Sequence, residues 1–346
     1  MKIQNILLIR TDRIGDIILT TPAITLLREN YPQARILFLT RSYTAPLLKH
    51  HRDLNEIIIY EPEGRHRGFF GHLRLAKELR REDIDLAFLF YPTADLAIAL
   101  RVAGIKYRVG TGYRWYSFLL NKRIFEHRKY GDRHELECNL SLMKNFIKRL
   151  PEPGEIEFHF TQDDTLQQLH RQACQSLGIG DNYIIIHPGS GGSAPNLPPE
   201  MFRKILEYLG RNTRLDILLI GTTAEKDLIE SIAGGLANHP RIKTVLGWDL
   251  ETYLAVIARC KLFISNSTGP LHMARAFDIP LLAFYCPAIP CSPRRWGPYN
   301  RPEYVLMPEI EPCKNCNISQ CPHGNCLSKI PWEAIEDRLK ALLKEL

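Results

Sequence analysis

Short apolar runs alternate with stretches of helical period along this chain, and the alternation occurs twice. In the first half, Ile6 to Ile9, Ile36 to Leu39, Ile57 to Tyr60 and Leu86 to Phe90 are separated by segments such as Ala23 to Asn30 and Leu73 to Arg81, where apolar residues recur at helical spacing. The second series has runs at Tyr183 to Ile186, Ile217 to Ile220, Thr244 to Leu246, Leu262 to Ile264 and Leu281 to Phe284. Between them lie Pro199 to Leu209, Ala224 to Leu236, Leu250 to Ala258 and His272 to Phe277, which read as helices. Such a pattern demands parallel strands joined by crossover helices. The 346 residues suit about two such domains, and the Pro- and Gly-bearing stretch Leu150 to Glu155 reads as a linker. The expected fold is therefore α/β, two doubly wound parallel-sheet domains whose strand C-termini face a cleft. Their bounds are set at 1–152 and 153–330, followed by a last helix at 331–346.

Composition excludes several classes. A charged fraction of 24% beside 45% apolar residues is that of a globular chain. No apolar run approaches the roughly 18 to 20 residues of a membrane span, and the start at Met1 lacks the pattern of a signal peptide, so the reading is cytoplasmic. Residues 1 to 150 hold 26 Lys and Arg against 16 Asp and Glu, a net of +10, whereas the rest hold 19 against 22. That asymmetry points to an acidic partner for the first half: a phosphorylated substrate, an anionic membrane surface or nucleic acid. An ordinary solvated basic surface stays open beside them. No recognised nucleic-acid motif accompanies the charge, which leaves nucleic acid out of the expected partners.

Missing motifs narrow the chemistry. The turn after the first run reads Arg10-Thr11-Asp12-Arg13-Ile14-Gly15-Asp16, not G-x-G-x-x-G, and no P-loop, G-x-S-x-G or H-E-x-x-H occurs. In that turn Gly15 permits a tight bend, and Asp16 either caps the next helix or takes a proton from an attacking hydroxyl. The loop His187-Pro188-Gly189-Ser190-Gly191-Gly192-Ser193 exposes backbone N–H groups and hydroxyls, as anion cradles do. Ser265 to His272 places polar residues and Pro270 at a helix start, a position that favours phosphate, with Thr268, Gly269 and His272 as candidates. Glu225, in Gly221 to Glu225, either accepts from sugar hydroxyls or complements its own helix dipole.

Taken together and in this order, these loops resemble glycosyltransferase family 9, the ADP-heptose:lipopolysaccharide heptosyltransferases. The likeness is carried by Arg10 to Asp16 with Pro22, the His187-Pro188-Gly189 loop with Gly191 to Ala194, Gly221 to Glu225, Asn266 to Gly269 with His272, and Pro280 to Pro287. The resemblance implies a GT-B fold, with the acceptor on the N-terminal unit, the nucleotide sugar on the C-terminal one, and the final helix packed back on the first unit. It implies an inverting transfer of heptose from ADP-heptose to the anionic, phosphorylated core of lipopolysaccharide. Asp16 would be the base; Ser190, Ser193, Glu225, Thr268, Gly269 and His272 would hold the donor; Arg13, Arg65, Arg67 and Arg114 would hold the acceptor. No cofactor is implied for the transfer, and peripheral contact with the inner membrane is an option.

Two positions depart from the family pattern. Pro195 stands where a phosphate-binding Lys is usual, and Ser267 where an Asp is usual. Arg294 and Arg295 are candidate replacements for the cation. The departures keep open another nucleotide sugar, a non-lipid acceptor, or a protein that binds the donor without catalysis. Separately, Cys313-x2-Cys316-x4-Cys321-x4-Cys326 can supply four thiolates to a structural zinc or iron, or remain reduced or disulfide-paired.

Overall fold

The computed structural model describes residues 3–192, 194–236, 239–313, 321 and 324–346. It divides into two units, one of Met1–Arg128 with Glu135–Thr161, the other of Lys129–His134 with Gln162–Leu346.

In the first unit, β1 (Asn5–Ile9), β2 (Arg35–Thr40), β3 (Glu56–Ile59), β4 (Leu86–Leu89), β5 (Tyr107–Thr111) and β6 (Lys122–Ile124) form a parallel sheet in the order β3-β2-β1-β4-β5-β6. The helices are α1 (Ile14–Ile18), α2 (Pro22–Asn30), α3 (Ala45–Leu48), α4 (Gly68–Arg81), α5 (Ala94–Ala103) and α6 (Glu135–Ser141). Ile6 to Ile9 are buried on both faces of the sheet, as a central strand between two helical layers requires. The stretch after Glu155 stays with this unit, where Phe160 pairs with His51 and the Thr161 N–H donates to the His50 carbonyl at 3.0 Å.

The second unit repeats the plan. Strands β7 (Tyr183–His187), β8 (Asp216–Gly221), β9 (Ile242–Leu246), β10 (Leu262–Asn266), β11 (Leu281–Phe284) and β12 (Val305–Leu306) are ordered β12-β11-β10-β7-β8-β9, all parallel. Its helices are α7 (Asp164–Leu177), α8 (Pro199–Asn212), α9 (Lys226–Ala233), α10 (Leu250–Ile257), α11 (Gly269–Ala276), α12 (Pro293–Trp296) and α13 (Trp332–Glu345). In α8 the buried Phe202, Ile205, Leu206 and Leu209 fall on one stripe, so burial of that face fixes the helix on the sheet. Capping sets the borders: Asp163 accepts from the Leu166 N–H at 3.0 Å, and Gly178 closes α7 in the left-handed region at φ 64°.

Ile335, Leu339 and Leu342 of α13 are buried in the second unit's own core with Phe202, Leu206 and Leu327, and Trp332 lies edge-on to Tyr208. Helix α8 of the same unit supplies the matching surface for that stripe. Among the described residues no helix is long and apolar enough to cross a membrane.

Candidate active site

Each sheet reverses its winding next to its first strand, between β1 and β4 in one unit and between β7 and β10 in the other. Loops leaving two such neighbours diverge, which opens a crevice beyond their C-terminal ends.

In the first unit β1 carries Arg10 to that point. Its N–H still donates to the Leu39 carbonyl at 3.2 Å, so the residue is held by the ladder although the strand has ended. The Arg10 side chain is buried among three carboxylates. Nε donates to Asp12 at 2.7 Å, Nη2 to Asp16, and Nη1 to Glu135 at 3.3 Å and to Asn139 at 3.0 Å. Asn139 in turn donates to the Leu19 carbonyl and to Thr20 Oγ1, at 3.2 and 3.1 Å. Thr20 Oγ1 reaches back to the Asp16 carbonyl at 2.7 Å. Helix α6 is thereby clamped onto α1, and Asp16 sits on that clamp. Arg128 also pairs with Glu135, so Arg10 and Arg128 share these carboxylates. Burial raises the Asp16 carboxyl to about 6; Arg10 opposes this, and the nearby charges of Asp12 and Glu135 add to it. Arg10 itself is pushed up despite its burial, since all three carboxylates hold its proton.

Asp16 is not the helix cap that one reading allowed. Arg13 occupies the cap position of α1, and Asp16 lies in the first turn with its carboxylate on Arg10. A partly buried carboxylate near 6, hydrogen-bonded but not enclosed, can accept a proton at neutral pH. The four acceptor candidates are exposed and follow the C-terminal ends of β1, β3 and β5. Arg65 is engaged locally, donating to the Ile59 carbonyl at 3.0 Å and pairing with Glu61 at 2.9 Å.

In the second unit His187 pairs with Ser265 in register, so the Gly-rich loop and the start of α11 leave the sheet side by side. Buried Asn266 ties them: its Nδ2 donates to the Pro188 carbonyl at 2.5 Å and its Oδ1 accepts from the Leu197 N–H at 2.8 Å. Thr268 stands at the cap of α11 with no side-chain capping bond, leaving first-turn N–H groups from Gly269 onward to other partners. His272 is buried with no hydrogen-bond partner at Nδ1. Burial, with His134 close by, lowers it to about 3, so it is neutral and can donate or accept one bond without adding charge. Ser190 donates to the Ala194 carbonyl at 3.3 Å, closing its own loop. Ser193 lies outside the described residues.

Glu225 forms a capping box: its Oε2 accepts from the Thr222 N–H and hydroxyl at 2.8 and 3.0 Å. A Cβ on Gly189 would fall 1.7 Å from its Oε1, so the carboxylate lies over that glycine and joins the loops after β7 and β8. His187 beneath is lowered to about 4 by burial, Glu225 opposing, and accepts or donates at Nδ1 with Tyr253 Oη at 2.9 Å. Arg295 stacks over Trp296 at 4.8 Å and Arg294 is exposed, both in the one-turn α12.

Of the four clustered cysteines, Cys316 lies outside the described residues. Cys313 and Cys321 are half-buried, while Cys326 is buried beside Cys286, whose thiol burial pushes up to about 12. Among the described residues, His170, Cys174 and Asp181 form a group that could hold a metal ion. There Cys174 faces His170 Nε2 at 3.3 Å and Asp181 faces Nδ1 at 4.0 Å, with one ligand atom from each residue within 4.8 Å of the others. Sequence reading assigned no role to Arg10, Glu135, Asn139 or Asn266. Arg10 and Asn266 stood inside quoted motifs, but Glu135 and Asn139 are more than a hundred residues from Arg10 and carry no local signal.

Two Rossmann-like parallel units, each with its candidate loops at the sheet's switch point, define the GT-B class of glycosyltransferase folds. The chain belongs to glycosyltransferase family 9 (heptosyltransferase), whose family model matches residues 72–327, and it is a glycosyltransferase. A Haemophilus influenzae protein whose name goes no further than glycosyltransferase is 28% identical over 304 residues, 86% of each chain. Lipooligosaccharide heptosyltransferase 2 of Campylobacter jejuni is 26% identical over 337 residues, 96% of each chain. The solved structure of E. coli ADP-heptose LPS heptosyltransferase II has the same fold, with a TM-score of 0.78 at 21% identity over 99% of both chains.

Proposed function

We propose that the protein is an inverting transferase that moves a heptose from ADP-heptose to the phosphorylated inner core of lipopolysaccharide. The acceptor oxygen attacks the anomeric carbon, the bond to ADP breaks with its electron pair leaving on the diphosphate, and the acceptor proton passes to Asp16. The observation that carries this is Asp16 itself: a carboxylate at the β1 switch point, held by buried Arg10 and raised to about 6. Arg13, Arg65, Arg67 and Arg114 would meet the acceptor's phosphates. Backbone N–H groups at Thr268 and Gly269, the hydroxyls of Ser190 and Ser193, and neutral His272 would take the diphosphate, with Glu225 Oε1 toward sugar or nucleoside hydroxyls. The transfer as written uses no metal, and zinc or iron on the clustered cysteines would be structural.

Calorimetric titration with ADP-heptose, ADP, UDP and GDP sugars, followed by a turnover assay, tests this. Selective ADP-heptose binding with turnover lost in Asp16→Asn supports it. Pro195 in place of the usual Lys favours a second reading, another nucleotide sugar as donor; tightest binding of a UDP or GDP sugar would establish that instead. Binding without turnover would leave a non-catalytic protein.

A further inference from the structure

The first unit exposes large aromatic side chains where its parallel strands end. Phe69 and Phe70 are 70% and 83% exposed, and Trp115 and Phe118 are 78% and 68% exposed. A monomer rarely leaves so many rings in water within one region.

They are not on loose chain. The hook between β3 and α4 is pinned by buried His66, whose Nδ1 accepts from the Glu61 N–H at 3.0 Å and whose Nε2 meets Glu78 of α4 at 3.1 Å. Its ring stacks on Tyr60 at 5.6 Å. Gly71 packs so closely that a Cβ would lie 2.2 Å from the His66 carbonyl carbon. The first turn of α4 is therefore rigid, and it holds Phe69 and Phe70 outward. The turn after β5 is fixed likewise: buried Tyr116 donates its hydroxyl to the Pro92 carbonyl, and Ser117 donates to the Gly112 carbonyl at 3.2 Å. Trp115, edge-on to the Tyr116 ring at 5.5 Å, and Phe118 flank those anchors and stay exposed.

The two turns are joined through α5. His72 of α4 meets Asp95 of α5 at 3.5 Å, and Asp95 lies three residues from Pro92, the anchor of the Trp115 turn. Exposed arginines sit among the rings: Arg67 directly before α4, Arg74 within it and Arg114 directly before Trp115. The whole first half carries a net charge of +10.

We infer that this rim, built on Phe69, Phe70, Trp115 and Phe118 with Arg67, Arg74 and Arg114, docks on the anionic surface of a lipid bilayer. Rigid aromatic rings interleaved with arginine suit that interface, where rings enter the headgroup boundary and guanidinium groups meet lipid phosphates. A protein partner of matching shape is the weaker reading, since the charge complement of this rim is a dense anionic surface. The inference rests on the lipid-linked acceptor proposed above and adds where the enzyme meets the membrane that bears it.

Co-sedimentation of the full chain with vesicles tests it. Vesicles of phosphatidylglycerol mixed with phosphatidylcholine should bind at least tenfold more tightly than phosphatidylcholine alone, with binding weakened by salt. The double variants F69S/F70S and W115S/F118S should each lose about tenfold in affinity while melting as wild type, because the replaced rings are solvent-exposed. No binding to anionic vesicles, or equal binding by both variants, overturns the inference. So does a dimer in sedimentation velocity that either variant dissolves. Turnover on a soluble, deacylated acceptor separates the two ideas: it should be unchanged in both variants. If wild type shows no turnover yet binds anionic vesicles through these rings, the transferase reading fails and the docking surface stands.

Discussion

Arg10 neutralises carboxylates that would otherwise repel one another in a buried space, and this sets the behaviour of Asp16. Replacing Arg10 by Met takes the buried cation from Asp12 and Asp16 and leaves Glu135 to Arg128, and should cost about 3 to 5 kcal/mol, read from urea denaturation at pH 7.5. The pH dependence follows from the raised carboxyl. Below about 6 Asp16 holds its proton and cannot accept another, so kcat/KM should fall about tenfold per pH unit there. Stability runs the opposite way. The native state holds this proton more tightly than the unfolded chain does, so the contribution is full below the ordinary carboxyl range and is lost as pH rises through about 6. Asp16→Asn should thus melt at or above wild type at pH 7.5 while losing about 10² to 10⁴-fold in turnover. Glu135→Gln removes a negative charge that raises Asp16, so the acid limb of the kcat/KM profile should move to lower pH. A limb that stays in place would show that Glu135 does not set the proton on Asp16.

At the scale of elements, the proposed donor loops of the second unit depend on one side chain. Asn266→Ala leaves the Pro188 carbonyl and the Leu197 N–H without their partner, at about 1 to 3 kcal/mol each. Urea denaturation should show that loss together with weakened ADP binding. The buried elements were legible because parallel strands covered on both faces need unbroken apolar runs, and all nine runs noted in the sequence are strands. Strands β5 and β6 were not read: Tyr107–Thr111 and Lys122–Ile124 are polar segments toward and at the sheet edge, where pairing rather than burial makes the strand. Helix starts moved for a similar reason. Helix α4 begins at Gly68, ahead of the stripe at Leu73, because the His66 hook and not apolar period fixes its first turn.

At the scale of the whole chain, one plan used twice explains why a single sequence pattern revealed the fold. The loops were legible as candidates because glycine, proline and polar residues mark strand ends, so Asp16, the Gly-rich loop and the start of α11 could be named from sequence. What surrounds Asp16 could not, since Glu135 and Asn139 reach it across more than a hundred residues of chain. Glu225 shows the other limit: its capping box is local, but its approach to Gly189 exists only once β7 and β8 are paired. The final helix likewise carries an apolar stripe whose period says nothing about which unit receives it. The most direct measurement of the central claim is turnover of ADP-heptose on a deacylated core acceptor, by wild type and by Asp16→Asn, from pH 5 to pH 8. The account predicts heptose transfer by wild type with an acid limb near pH 6, and none above background by the variant. Transfer by Asp16→Asn at the wild-type rate would contradict it.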